Sequence, residues 1–409
     1  MTSNKKYNIT YKVNHDEYRI LVLNNSKKVE CYKTVSKDEY YNLQNKYEMM
    51  NGYSDDNIDQ NLFNYYKDFY KWNNELYQEG IDTFYYSYYN DLAVIKTFSK
   101  LSSFDLKNND HITEIETKYF EGCNNGYLEY GCPGEFQSYG YDMNGFYPRM
   151  LGENKLKIPI KEGYEVKLST LDKYNLKFGF YKVIIECYDE DFVKIFKFSE
   201  NNIYTHYSLL FAYNYQNEYD IKIELNLNEE YNAYLYNDSD IIETKSIFGD
   251  WFKKLMAVKA KYPKNKLIKH LLSSVWGSLS RKNYNEKIKV TEDDLEKYDE
   301  ELYTLAEYDH EKNLYYIIKK QNRYKYNIRL KPFLLSYARC YMGRIAHDNH
   351  LDQVIRLCCD NITYKSDVTI NIPNFLPEEK TTGKIFWKNA RLHDERCSCK
   401  SCLNPYHTS

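Results

Sequence analysis

Short runs rich in β-branched and aromatic residues, bounded by turn-forming residues, predict strands at 7–13, 18–23, 137–141, 181–187, 192–198 and 221–227. Residues 38–80 read as a polar helical region, and a further helix opens with Asn90 or Asp91 near its N-cap. Residues 116–148 are turn-rich and punctuated by Gly122, Gly126 and Gly134, and 149–245 read as many short strands. Helical periodicity dominates 245–279. A hairpin follows at 303–308 and 314–319, then a helix over 332–347 and a strand–turn–strand over 354–365. No internal repeat or Pro-rich linker interrupts this order, so the lobes are expected to pack together.

Three segments carry candidate chemistry. In the first, Asp142 follows the strand predicted at 137–141, and a tight turn then leads to Tyr147 and Pro148. A carboxylate at a strand end, backed by a ring, suits Mg²⁺ held under a nucleoside triphosphate. In the second, Lys269, Ser273, Trp276 and Gly277 fall at i, i+4, i+7 and i+8, one face of a helix. A cation, a hydroxyl, a flat ring and a glycine there form a surface for a triphosphate and a base pair. Taken alone, the stripe is more simply an amphipathic helix with a solvated lysine. In the third, Asp360 and Asn361 sit at a hairpin tip, where an acid is either a second metal ligand or simply a turn residue. Carboxylates at the ends of two strands of one sheet can hold two Mg²⁺ about 4 Å apart.

Composition changes the picture little. The 409 residues are 43% hydrophobic, enough for a core, and the 47 Tyr reflect AT-rich coding more simply than base stacking. The net charge of −3 excludes a global field that attracts nucleic acid. Charge is uneven, however: eleven Lys/Arg and one acid, Glu286, lie between Trp251 and Lys289. A local basic lobe suits an enzyme that grips phosphates in one place. The start of the chain is polar and no run reaches membrane-spanning length, so a cytoplasmic or virion location without a membrane is expected, not a secreted one. The cysteines read as reduced thiols, with Cys358 and Cys359 in the core. Near the end, Cys397, Cys399, Cys402 and His407 could make a Cys₃His zinc site or remain free thiols in a tail.

Taken in order, the three segments resemble the motifs of family B DNA polymerases, most of all the small protein-primed branch of viruses, linear plasmids and transposons. The first motif of that family runs Asp-x-x-Ser-Leu-Tyr-Pro, and here Gly145 stands in place of Ser. In the second, Ser273 replaces Asn and Trp276 replaces Tyr, while Lys269, Ser274 and Gly277 are kept. In the third, Tyr-x-Asp-Thr-Asp-Ser, Asp360 matches the second Asp and Cys358 replaces the first. A register shifted by one step would put Ile362 on the second Asp. Ala338 and Arg339 before the third motif, the stretch 379–387 after it and the Gly-rich link 120–126 extend the resemblance over about 85–390.

The resemblance implies an α+β right-hand fold with an antiparallel palm, helical fingers, an N-terminal exonuclease-like remnant and a reduced or missing thumb. The implied division is 1–115 remnant, 116–245 first part of the palm with a strand-rich insertion, 246–285 fingers, 286–395 second part of the palm and 396–409 Cys-rich tail. It implies Asp142 and Asp360 as catalytic ligands of two Mg²⁺. It also implies Tyr147, Lys269, Ser273, Trp276 and Gly277 as dNTP contacts, and Arg281, Lys282 and Lys384 as nucleic-acid contacts. Expected partners are primer–template DNA, dNTPs and a terminal priming protein. No Asp-x-Glu pair precedes residue 85, so proofreading is not expected. A silent polymerase relic that binds nucleic acid, or an interaction protein, remains the alternative.

Overall fold

The computed structural model describes residues 7–12, 16–23, 29–46, 48–52, 58–83, 91–102, 104, 106, 110–123, 126–283, 287–295, 297–298, 303–309, 314–319 and 324–391. The Cys-rich tail, with Cys397, Cys399, Cys402 and His407, lies outside these residues. The chain forms two compact units, Met1–Asp105 with Ile247–Ser278, and Leu106–Ser246 with Leu279–Ser409.

In the first unit, strands Tyr7–Lys12, Glu17–Leu23 and Val29–Ser36 form an antiparallel meander. The expected continuous helical region of 38–80 is broken. Helix Lys37–Lys46 ends before strand Glu48–Gly52, which pairs parallel with Tyr7–Lys12, and helix Ile58–Gln78 follows. Ladder hydrogen bonds to an open sheet edge outweigh the local polar pattern there. Helix Asp91–Leu101 starts where expected and packs Phe98 against Phe248 (4.9 Å) and Trp251 (6.2 Å). Those two rings belong to helix Thr244–Lys261. Asn265 then caps helix Lys266–Leu279, its side-chain oxygen accepting from the Leu267 and Ile268 amides at 3.0 and 3.2 Å. Buried Leu267, Leu271, Val275 and Leu279 form the apolar face of this helix.

The second unit is built on a five-stranded sheet in the order Phe375–Trp387, Gly134–Met143, Asn361–Tyr364, Val354–Cys358, Glu129–Gly131. Every pairing in it is antiparallel. The strand expected at 137–141 is longer, because neighbours on both sides extend its ladder, and Asp142 lies within it rather than after it. Helix Lys331–Asp348 is buried along most of its length, and helix Glu190–Ile195 crosses it closely. A Cβ on Gly343 would meet the Ile195 carbonyl oxygen at 2.5 Å, so glycine is needed at that crossing.

The stretch 149–245 carries many short strands, as expected, with helices between them. The strand predicted at 192–198 is replaced by helix Glu190–Ile195, because the Asp189 carboxylate accepts from the Asp191 and Phe192 amides at 2.9 and 3.2 Å. Helices Phe146–Gly152 and His206–Tyr215 also fall in or border this stretch. Its strands Ile203–Thr205, Gly179–Glu186, Ala233–Leu235 and Tyr164–Val166 form one sheet, with Lys222–Leu225 also pairing to Gly179–Glu186. Phe180 and Phe178 from this stretch reach Phe333 of the long helix at 4.9 and 4.8 Å. The predicted hairpin is present as Tyr303–Asp309 and Leu314–Lys319, with Lys287–Val290 added to its edge. Among the described residues, no helix is long and apolar enough to cross a membrane.

Candidate active site

Two carboxylate-bearing residues meet at one end of the five-stranded sheet. Asp142 is the penultimate residue of Gly134–Met143 and stands opposite Asn361 on one side and Leu376 on the other. Asp360 is the second residue of a two-residue turn, with Cys358 and Asn361 paired on either side of it. Its carbonyl accepts from the Met143 amide at 3.0 Å. The two acids are therefore one residue from facing each other across adjacent strands. Strand pairing over residues more than 200 positions apart fixes that relation.

The turn is held under strain and braced. Cys359 has φ +57°, a left-handed conformation that costs a non-glycine residue roughly 1–3 kcal/mol. Its amide donates to the Leu128 carbonyl at 3.2 Å. The two thiols at this tip are half-buried, not fully in the core as expected. Behind the turn, buried Arg356 lies over the Trp387 ring, 4.8 Å from its centroid, and its Nε donates to the Ala390 carbonyl at 2.7 Å. A second guanidinium nitrogen donates to Asn361 Oδ1. Asn361 in turn donates to Glu378 Oε2 (2.9 Å) and Thr381 Oγ1 (3.2 Å), and accepts from Thr363 Oγ1 (3.0 Å). The residue after Asp360 is thus pinned by a largely buried hydrogen-bond network that uses both its amide nitrogen and its amide oxygen.

Beyond Asp142 the chain turns sharply. Gly145 has φ +69° and stands immediately before helix Phe146–Gly152, whose third residue is Pro148. The Arg149 Nε donates back to the Asn144 carbonyl at 2.8 Å and closes the turn. This geometry sets the half-buried Tyr147 ring 5.0 Å from Phe146 and 6.1 Å from Tyr127. Burial, then the neighbouring Cys359, Tyr127 and Asp360, push the Tyr147 hydroxyl well above its usual range. Burial and the same Cys359 and Asp360 also raise Tyr127. Both phenols therefore lie within electrostatic reach of the hairpin tip. Tyr127 was not singled out from sequence, although it directly follows the Gly-rich link. Arg339, from the long helix, holds that link by donating to the Gly126 carbonyl at 2.6 Å.

Among the described residues, no three His, Cys, Asp or Glu side chains gather into a metal cluster. The donor set at the sheet end is two carboxylates. Hard oxygen donors of this number fit Mg²⁺, which is commonly held by one or two carboxylates with water and substrate phosphates completing the shell.

The remaining expected residues are carried by other elements. On helix Lys266–Leu279, Lys269, Ser273 and Gly277 are exposed and Trp276 is half-buried, so the stripe is real within its own unit. Ser273 Oγ donates to the Lys269 carbonyl at 2.9 Å, and a Cβ on Gly277 would meet nothing within 4 Å. Arg281 and Lys282 follow that helix and are exposed; Lys282 pairs with Glu121 at 2.5 Å. Lys384, on the strand Phe375–Trp387, pairs with Glu135 at 3.2 Å.

No protein-family model and no curated protein matches this sequence. Solved structures do. The chain is similar to Phi29 DNA polymerase complexed with primer–template DNA, at TM-score 0.56 and 12% identity, covering 90% of this chain and 81% of that one. With primer–template DNA and incoming nucleotides in the same polymerase, the TM-score is 0.57 at 11% identity, covering 95% and 86%. An orthorhombic crystal form gives 0.51 at 13% identity, covering 92% and 70%. The resemblance to protein-primed family B DNA polymerases, read from three motifs, thus holds at the level of the fold, which this chain shares with Phi29 DNA polymerase.

Proposed function

We propose that this protein is a template-directed DNA polymerase that adds deoxynucleotides to a primer hydroxyl in replication of a viral or mobile-element genome. The observation that carries the reading is the placement of Asp142 and Asp360 at one end of adjacent strands. These two carboxylates would hold a pair of magnesium ions. Bound there, the ions supply activation of the primer 3′-hydroxyl and neutralisation of the triphosphate and leaving pyrophosphate.

The chain's own groups do the positioning. Tyr147 offers a ring under the sugar of the incoming nucleotide, its hydroxyl kept protonated by burial. Lys269 neutralises phosphate charge, and Ser273, Trp276 and Gly277 provide the rest of a surface for the nucleotide and its base pair. Arg281, Lys282 and Lys384 supply phosphate contacts along template and primer. A terminal priming protein is the expected partner. The test is Mg²⁺-dependent extension of a short primed DNA template. Incorporation by wild type that falls at least about 10²-fold in Asp142→Ala supports the reading, since removal of an electrostatic stabiliser costs about 10²–10³-fold. Folded wild type that binds DNA without incorporation favours the second reading, a silent nucleic-acid-binding relic. Cys358, standing where the family carries an acid, is what favours that alternative.

A further inference from the structure

A concave site within the larger compact unit shares no lining residue with the Asp142–Asp360 cluster. It is a cavity of about 390 Å³, within the size range of small-ligand sites. Its walls combine two kinds of surface. Phe120, Tyr324, Ile328 and Pro332 are buried and give it apolar sides. Lys282, Lys331 and Ser280 give it polar ones.

The polar groups are poorly balanced within the protein. Lys282 is held by Glu121 at 2.5 Å, whereas the Lys331 ammonium makes no ion pair or hydrogen bond with any described residue and feels the same Glu121 carboxylate only at longer range. Burial first, and then the Lys282 ammonium, lower the pKa of Lys331, so its charge is held at a cost. The Ser280 hydroxyl oxygen is shielded from solvent and also lacks a partner. Lys331 opens the 18-residue helix Lys331–Asp348, which has no side-chain cap at Leu330. The positive end of that helix dipole adds to the same field. Two cations, one carboxylate, an orphan hydroxyl donor and a helix N-terminus leave a net positive, hydrogen-bonding end beside aromatic walls.

We propose that this cavity binds a phosphate group carried on a nucleoside, through Lys331, Lys282 and Ser280, with the nucleoside against the Tyr324 side. The site rests on the polymerase reading only through Lys282, which that reading places among the nucleic-acid contacts; Lys331 and Ser280 belong neither to it nor to the Asp142–Asp360 cluster, and nucleotide binding without metal is read separately from incorporation. A free mononucleotide and a phosphate of single-stranded DNA present the same chemistry.

Calorimetric titration of the full chain with dAMP, in EDTA so that divalent metal plays no part, tests the proposal. Saturable binding is expected, weakened at least tenfold in Lys331→Gln, weakened less in Ser280→Ala and retained in Lys331→Arg. Inorganic phosphate should compete. Competition by a (dT)₁₂ strand that is lost in Lys331→Gln identifies the strand phosphate as the natural occupant. Saturable dAMP binding that (dT)₁₂ leaves untouched identifies the free nucleotide. No saturable binding to wild type, or equal affinity in a Lys331→Gln variant whose thermal unfolding matches wild type, overturns the proposal.

Discussion

The two regions that carry the expected chemistry are built in opposite ways. At the sheet end, Asp142 and Asp360 are fixed by strand pairing on both sides, a strained turn and a buried network through Arg356 and Asn361. On helix Lys266–Leu279, the stripe of Lys269, Ser273, Trp276 and Gly277 is held by one helix, with three of its residues exposed and Trp276 half-buried. The contrast separates two jobs. Metal ligands must be placed to fractions of an ångström before anything binds, whereas a nucleotide-gripping surface can gain its partners from the ligand itself.

The largest effect that would sharpen this contrast comes from the network behind Asp360. Replacing Asn361 with Ala leaves a buried guanidinium without one of its acceptors. Denaturant unfolding should show a loss of about 3 kcal/mol, and primer extension should fall with it. A stability change below about 1 kcal/mol would mean the hairpin does not depend on this bracing.

Burial also predicts acid sensitivity in the sheet-bearing unit. His206 is enclosed between Phe178 and Tyr207 (both rings at 3.9 Å) and accepts from the Gly179 amide at 3.5 Å on Nδ1. Its pKa is pushed down to about 3, mainly by burial. An unfolded chain takes up that proton near pH 6.5 and the folded one does not, so the stabilisation is present above pH 6.5 and is lost as pH falls towards 3. Within that window, wild type should lose about 1.4 kcal/mol per pH unit more than His206→Phe. Equal pH profiles for the two proteins would remove His206 from the account.

On the exposed helix, effects on folding should be small and effects on nucleotide use larger. Lys269→Ala should leave the unfolding midpoint unchanged and raise the KM for dNTP roughly tenfold, about 1.4 kcal/mol of binding. The smallest effect is expected from Gly277→Ala. With nothing within 4 Å of the new methyl, it should stabilise the helix by about 0.5–1 kcal/mol. If incorporation nevertheless falls, the glycine serves the approach of a ligand. If incorporation is unchanged, it does not.

Much of this was legible in the chain order. The antiparallel strand–turn–strand around Asp360, the long helix before it and the helical stripe at 269–277 follow from local periodicity and turn chemistry. What was not legible depends on residues distant in sequence or on a single cap. Phe192, Phe196 and Phe198 look like strand, but the Asp189 carboxylate starts a helix there. Strand Glu48–Gly52 forms because an edge waits for it, not because its sequence demands it. The bracing of Asn361 draws on Arg356, Glu378 and Thr381, and the placement of Tyr127 depends on folding the Gly-rich link against Arg339. No spacing rule joins such positions.

The central claim is that Asp142 and Asp360 together hold the catalytic metals. Counting bound Mn²⁺ by electron paramagnetic resonance, with primed DNA and a non-hydrolysable dNTP present, tests it most directly. Two ions per chain in wild type, with at least one lost in each of Asp142→Asn and Asp360→Asn, is the result the account predicts. An unchanged count in Asp360→Asn would contradict it and move the second ligand elsewhere.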